Sequence, residues 1–214
     1  MFILKLIPSK VLSLQARKPT GLIGRYLMTK IFNDGNADLN SFVMDMLELE
    51  SGDRVLEIGF GPGKLINQMA AVTTEGIVEG IDFSEVMLKQ ARRVNKDHIS
   101  HGKVKLQRGE CKSLPFENES FNKLCSINTL YFWKDPDKYF VEMFRVVRPG
   151  GVVAIGFRDD IQMSNLNLSK DIFTAYSQDE VVSLLSNAGF SDARVAEKRG
   201  KPFLSYCALA TKAQ

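Results

Sequence analysis

Cysteine is scarce in this chain of 214 residues. Cys111, Cys125 and Cys207 are odd in number, far apart and outside any CxxC spacing. That argues against a disulfide framework or a metal site and fits a reducing compartment, with a cytoplasmic location as the expectation. No apolar run is long enough to cross a bilayer. Charge of one sign is also lacking: a net +3 is too mild to imply nucleic acid, which calls for a clustered basic face. No internal repeat or low-complexity tract divides the chain, whose length suits one domain with a real core. Acidic side chains are absent from residues 1–33, while Lys5, Lys10, Arg17, Lys18, Arg25 and Lys30 are basic. Phe2, Ile3, Leu4, Leu6 and Ile7 form a brief apolar patch cut by Pro8. It is too short to span, and no small-residue cleavage site follows, so no secretory signal is expected. A solvated arm, a lid packed on the main domain, an organelle transit peptide and a membrane-surface helix through residues 1–20 all stay open.

What is present is an alternation of strand and helix signals. Leu39, Phe42, Val43, Met46 and Leu47 recur at helical spacing with Asp38 as the expected N-cap. Strands are predicted at 54–58, at 77–81 closing on Asp82, at an edge around Val104 and Leu106, and at 121–127. A fifth follows the turn Pro149-Gly150-Gly151 at 152–157, and two more at 194–197 and 204–210 are joined closely enough to pair antiparallel. Helices are expected after the glycines near residue 60, after a Ser84 cap, from Asp135-Pro136, and from a Ser177/Glu180 capping box ending at Gly189. Residues 159–176 have no clear period, and His98 and His101 fall in an expected surface loop. The alternation predicts a seven-stranded, mostly parallel α/β sheet with helices on both faces and a C-terminal antiparallel hairpin. Residues 1–37 read as a basic arm or lid and 38–214 as the domain proper.

The chemistry gathers at Val55-Leu56-Glu57-Ile58-Gly59-Phe60-Gly61-Pro62-Gly63. A buried strand, a glycine turn and a helix start let a ligand approach the backbone where N–H groups are free. The pattern is G-x-G-x-G; the dinucleotide fingerprint G-x-G-x-x-G would need glycine at Lys64. Asp82, ending the second strand, suits ribose hydroxyls or a helix N-terminus. Phe83 and Met87 suit either a ligand wall or the core.

Together, VLEIGFGPG, EGIDFS, GECKSLPF and RVVRPGG resemble the class I S-adenosylmethionine-dependent methyltransferases. The likeness is to the small-molecule branch that includes the ubiquinone/menaquinone biosynthesis methyltransferases. The match runs over about residues 40–210, and it implies a Rossmann-like fold and S-adenosylmethionine as cofactor, with S-adenosylhomocysteine as product. It also implies roles: Gly59, Gly61 and Gly63 approach the methionine moiety, and Glu57 orients the loop and the bound ammonium. Asp82 holds the ribose, while Phe83 and Met87 wall the adenine. Glu110, where the family usually has Asp, takes the adenine amino group, Cys111 offers its N–H, and Asn128 lies beside the methionine end through its carbonyl.

Acceptor chemistry is read partly from absences. Asn128-Thr129-Leu130-Tyr131 lacks both prolines of the Asn/Asp-Pro-Pro-Tyr motif of amide and adenine methylation. No Pro-Cys pair follows the fourth strand, which argues against covalent cytosine chemistry, and no paired-glutamate loop of the arginine branch is visible. Tyr131, Phe132 and Trp133 remain, with Tyr26, Met28, Ile31 and Phe32 as lid candidates. Tyr26, Tyr131 and Trp133 are the candidates for acceptor-side contact. An aromatic mouth suits a small, partly apolar acceptor. The alternative is a non-catalytic or membrane-associated protein that keeps the cofactor pocket.

Overall fold

Strand β1 (Arg54–Ile58) has four of its five residues buried, the pattern of a strand covered on both faces. Around it, the computed structural model, which describes residues 8–21, 26, 28–166, 168–200 and 204–214, builds one seven-stranded sheet. The other strands are β2 (Ile77–Asp82), β3 (Val104–Arg108), β4 (Phe121–Ile127), β5 (Val147–Phe157), β6 (Ser191–Lys198) and β7 (Ser205–Thr211). Their order is β3-β2-β1-β4-β5-β7-β6. β1 to β5 pair in parallel, and β7 runs antiparallel to both β5 and β6.

The helices are α1 (Ser9–Arg17), α2 (Thr29–Gly35), α3 (Ala37–Leu47), α4 (Lys64–Val72), α5 (Glu85–Val94), α6 (Lys96–Ser100), α7 (Pro136–Val146), α8 (Asp160–Ser164) and α9 (Gln178–Asn187). Side chains of α3, α4 and α5 pack with Val55, Val78 and Cys125 on one face of the sheet. Those of α7 and α9 pack with Leu56, Ile58 and Leu124 on the other. Alternation along β1 serves both cores, and each fully buried aliphatic there contributes about 1.5–3 kcal/mol.

The sequence reading is close at most element ends. Ser84 caps α5 by accepting from the Met87 N–H at 3.4 Å. The capping box before α9 closes in both directions, Ser177 N–H to Glu180 at 2.7 Å and Glu180 N–H to Ser177 at 3.2 Å. Three expectations shift. Asn36 and not Asp38 precedes α3, placing Asp38 in its first turn. His98 lies on the short helix α6 and His101 ends it, where a loop was expected. β5 starts at Val147, so the Pro-Gly-Gly turn is an irregularity within the strand, between the Phe121–Val147 and Lys123–Val152 pairings.

Strand order reverses between β1 and β4, so their connections leave in opposite directions and open a crevice at the carboxyl ends. The glycine loop follows β1, Asp82 ends β2 and Asn128 follows β4. Among the described residues no helix is long and apolar enough to cross a membrane.

Candidate active site

At that crevice lies a cavity of about 700 Å³, within the range of about 300–1,000 Å³ usual for small-molecule sites. Its walls bring together Glu57, Gly59, Gly61, Asp82, Phe83, Met87, Glu110, Cys111 and Asn128 from four separate stretches of chain.

The glycine loop is shaped by two constraints. Gly59 has φ +76°, and a Cβ there would come within 2.3 Å of Thr129 Cγ2. Gly61 has φ +51°, but its missing Cβ would meet only Phe32 at 3.9 Å, so its backbone faces open space. The Gly61 N–H donates to Asp82 Oδ2 at 2.9 Å and the Ser84 N–H to Oδ1 at 2.8 Å. Asp82 thus pins the loop after β1 to the turn after β2 and retains lone pairs on both oxygens. Gly63 does not line the cavity: it caps α4 and lies against Ala91, where a Cβ would sit 2.6 Å from the alanine Cβ. Its carbonyl accepts from Asn95 Nδ2 at 2.9 Å.

Two buried carboxyl groups share this end. Burial, reinforced by the nearby Asp82 charge, pushes Glu57 up to about 8. Burial also lifts Asp82 to about 6, against the two backbone N–H bonds that favour its ionised form. Glu57 Oε2 is buried without a hydrogen-bond partner among the described residues. A buried acceptor left unmade is costly, and it suits a cationic ligand group. Around the rim, Glu110 is exposed and held low by an ion pair with Lys112 at 2.9 Å. The Cys111 thiol is pushed up to about 12 by burial, so it is a neutral packing group and not a nucleophile at ordinary pH.

Beyond Asn128 the wall turns apolar. Asn128 itself adopts the left-handed conformation, φ +54°, which asparagine tolerates better than most residues. Its N–H donates to Gly156 O at 2.9 Å and its Nδ2 to Asn36 Oδ1 at 2.9 Å. Tyr131 is buried. Its hydroxyl donates toward Asn128 Oδ1 at 3.0 Å and accepts from the Arg158 N–H at 2.5 Å, and burial holds the phenol well above its usual range. Trp133 stacks on Tyr139 with centroids 4.8 Å apart, while Phe132 and Phe173 meet at 4.8 Å. Met28, Ile31 and Phe32 line the cavity, as do Tyr131 and Trp133. Tyr26 does not, and it is 64% exposed.

Sequence reasoning missed several wall residues: Arg158, Met163, Leu166, Leu168 and Phe173, and Leu12 and Ala16 of α1. The first group comes from the aperiodic stretch after β5, where no pattern marks a buried face. For α1 the helical spacing of Leu12 and Ala16 was available as a signal.

Comparison with known proteins places this architecture. The methyltransferase domain family matches residues 56–155. The chain is 32% identical over 177 residues to the uncharacterized methyltransferase YdaC of Bacillus subtilis, covering 83% of this chain and 93% of that protein. It is 34% identical over 134 residues to the demethylmenaquinone methyltransferase of Listeria welshimeri, covering 62% of this chain and 55% of that one. Its fold superimposes on a SAM-dependent methyltransferase from Aquifex aeolicus with a TM-score of 0.71 at 22% identity, over 85% of this chain and 95% of the other. The parallel sheet with an inserted antiparallel β7, the glycine loop ahead of Asp82, and a relative similar along nearly its whole length converge: this chain belongs to the class I S-adenosylmethionine-dependent methyltransferases.

Proposed function

We propose that this protein moves a methyl group from S-adenosylmethionine to a small, partly apolar acceptor by in-line displacement. The observation that carries the reading is Glu57: a buried carboxyl with an oxygen left without a hydrogen-bond partner among the described residues, in the wall of a cavity that becomes aromatic farther along. A ligand that is cationic at one end and meets an apolar partner fits that gradient.

In this reading Glu57 receives the ammonium, and Gly59 and Gly61 let the methionine portion lie against backbone. Gly63 contributes indirectly, holding the loop on α5. Asp82 accepts from the ribose hydroxyls with its remaining lone pairs. Phe83 and Met87 flank the adenine, whose edge meets Glu110 and the Cys111 N–H, and the Asn128 carbonyl lies near the methionine end. Within the segment of residues 1–37, the described residues Leu12, Ala16, Met28, Ile31 and Phe32 serve as a lid over the domain of residues 38–214.

When bound, the cofactor supplies a methyl already activated on a sulfonium. The chain then has to align the acceptor and exclude water. Phe132, Phe173, Leu166 and Leu168 offer the acceptor an apolar bed. Tyr131 keeps its proton and orients: its hydroxyl, engaged with Asn128 and Arg158, fixes the turn after β4. Trp133, stacked on Tyr139, backs the same wall. Tyr26 would reach an acceptor only from outside the cavity.

Calorimetric titration with S-adenosylmethionine and S-adenosylhomocysteine, followed by transfer of labelled methyl to a panel of small aromatic acceptors, tests the proposal. Saturable binding of both ligands and label in one acceptor class are expected. Absence of binding by either ligand would sink it.

A further inference from the structure

Helix α1 has two dissimilar sides. Leu12 and Ala16 line the cavity, and the buried Ser13 accepts from the Ser169 N–H at 3.1 Å. The chain leaving the helix is tied down again where Ser84 Oγ donates to Pro19 O at 3.2 Å. On the other side, Lys10, Val11 and Leu14 are all exposed, whereas Lys18, just past the helix, sets its ammonium over the Phe83 ring at 5.8 Å. The spacing of Lys10, Val11 and Leu14 puts them on one side of the helix. Val11 and Leu14 leave 41% and 49% of their surface to water, with Lys10 beside them.

The charge around this helix is one-sided. Residues 1–33 hold six of the chain's 28 lysines and arginines and none of its 25 acidic side chains. A chain of net charge +3 therefore divides into an N-terminal +6 and a remainder of −3. Just ahead of α1 the sequence adds Phe2, Ile3, Leu4, Leu6, Ile7 and Lys5, which lie outside the described residues.

We propose that the outer side of α1 docks the protein on an anionic lipid surface. Cations favour the negative headgroups, and Val11 and Leu14 enter the boundary where the acyl chains begin. The Lys10 stem can lie along that boundary with its ammonium group outward. A soluble polyanion would reward the charges alone and gain nothing from the two aliphatics beside them. Because Leu12 and Ala16 on the inner side wall the cavity, a docked α1 sets the cavity roof against the bilayer, from which a lipophilic acceptor would arrive. That last consequence rests on the proposed methyl transfer; the docking does not.

Flotation of the full chain with vesicles tests it, using phosphatidylglycerol mixed with phosphatidylcholine against phosphatidylcholine alone. About tenfold more protein should float with the anionic vesicles, and high salt should reduce the difference. Val11→Asp combined with Leu14→Asp should lower anionic-vesicle binding about tenfold, and so should Lys10→Glu alone. Calorimetry with S-adenosylhomocysteine on each variant should return the unaltered protein's affinity, showing that the fold is intact. No preference for anionic vesicles would overturn the docking. So would flotation that the aspartate pair leaves unchanged, or that heparin abolishes while the aspartate pair has no effect. Failure of the unaltered protein to bind S-adenosylhomocysteine would count against the proposed function and leave the flotation result standing.

Discussion

Glu57→Gln keeps the shape of the β1 terminus and removes its charge. In the ligand-free protein Glu57 sits near 8 because it is buried and faces Asp82. At pH 7.5 ionising it to receive an ammonium costs about 1 kcal/mol, and at pH 6.5 about 2 kcal/mol. The affinity of the unaltered protein for S-adenosylmethionine should therefore fall severalfold from pH 7.5 to 6.5, with close to one proton released per ligand bound at the lower pH. A charge-assisted hydrogen bond contributes about 1.5–3 kcal/mol. Set against the ionisation cost, glutamine should weaken binding by about 1–2 kcal/mol at pH 7.5 and by little at pH 6.5, where the two proteins converge. A free α-amino group, with a pKa of about 7.7–8.0, stays mostly protonated across this window. Calorimetry in two buffers of different ionisation enthalpy gives both the affinity and the proton count. A pH-independent affinity in the unaltered protein, or equal affinities at pH 7.5, would refute the assignment of Glu57 to the ammonium.

Asp82→Ala should weaken donor binding by about 1–3 kcal/mol, and an unchanged affinity by calorimetry would remove Asp82 from the ribose. Gly59→Ala drives a methyl into Thr129 at positive φ, so it should lower stability by about 1–3 kcal/mol in urea melts. Gly61→Ala has room for its methyl and should melt closer to the unaltered protein, pay mainly the φ strain, and lose donor affinity; equal behaviour of the two variants would contradict the loop geometry. Glu57 rises from 4.5 to about 8 and Asp82 from 3.8 to about 6 on folding. Between those values the folded chain binds more protons than the unfolded one, so this pair makes the ligand-free protein less stable as pH rises from about 4 to 8. Comparing denaturant midpoints of the unaltered protein and Glu57→Gln across that range should show a smaller decline in the variant.

Much of this site could be read from the chain because its parts are local. A strand ending in spaced glycines, an acid at the next strand's end and an asparagine after β4 each sit within a short window, and the parallel sheet brings those windows together. The acceptor side is otherwise. Leu166, Leu168 and Phe173 share the cavity wall with Leu12 and Ala16 from segments some 150 residues apart, tied by a Ser169–Ser13 hydrogen bond that no periodicity encodes. Gly63 shows the same limit: a glycine that reads as ligand-facing in the sequence lies against Ala91 and Asn95 once α5 packs behind it. Glu110 reads as an adenine contact, yet its exposed carboxylate is paired with Lys112, so binding there would have to compete with that ion pair.

The central claim, that this cavity holds the methyl donor by the Glu57 and Asp82 carboxyl groups, is tested most directly by a crystal structure with S-adenosylhomocysteine bound. The account predicts the ligand's amino nitrogen within hydrogen-bond distance of Glu57 and its ribose hydroxyls on Asp82. A ligand seated with either carboxyl group untouched would contradict it.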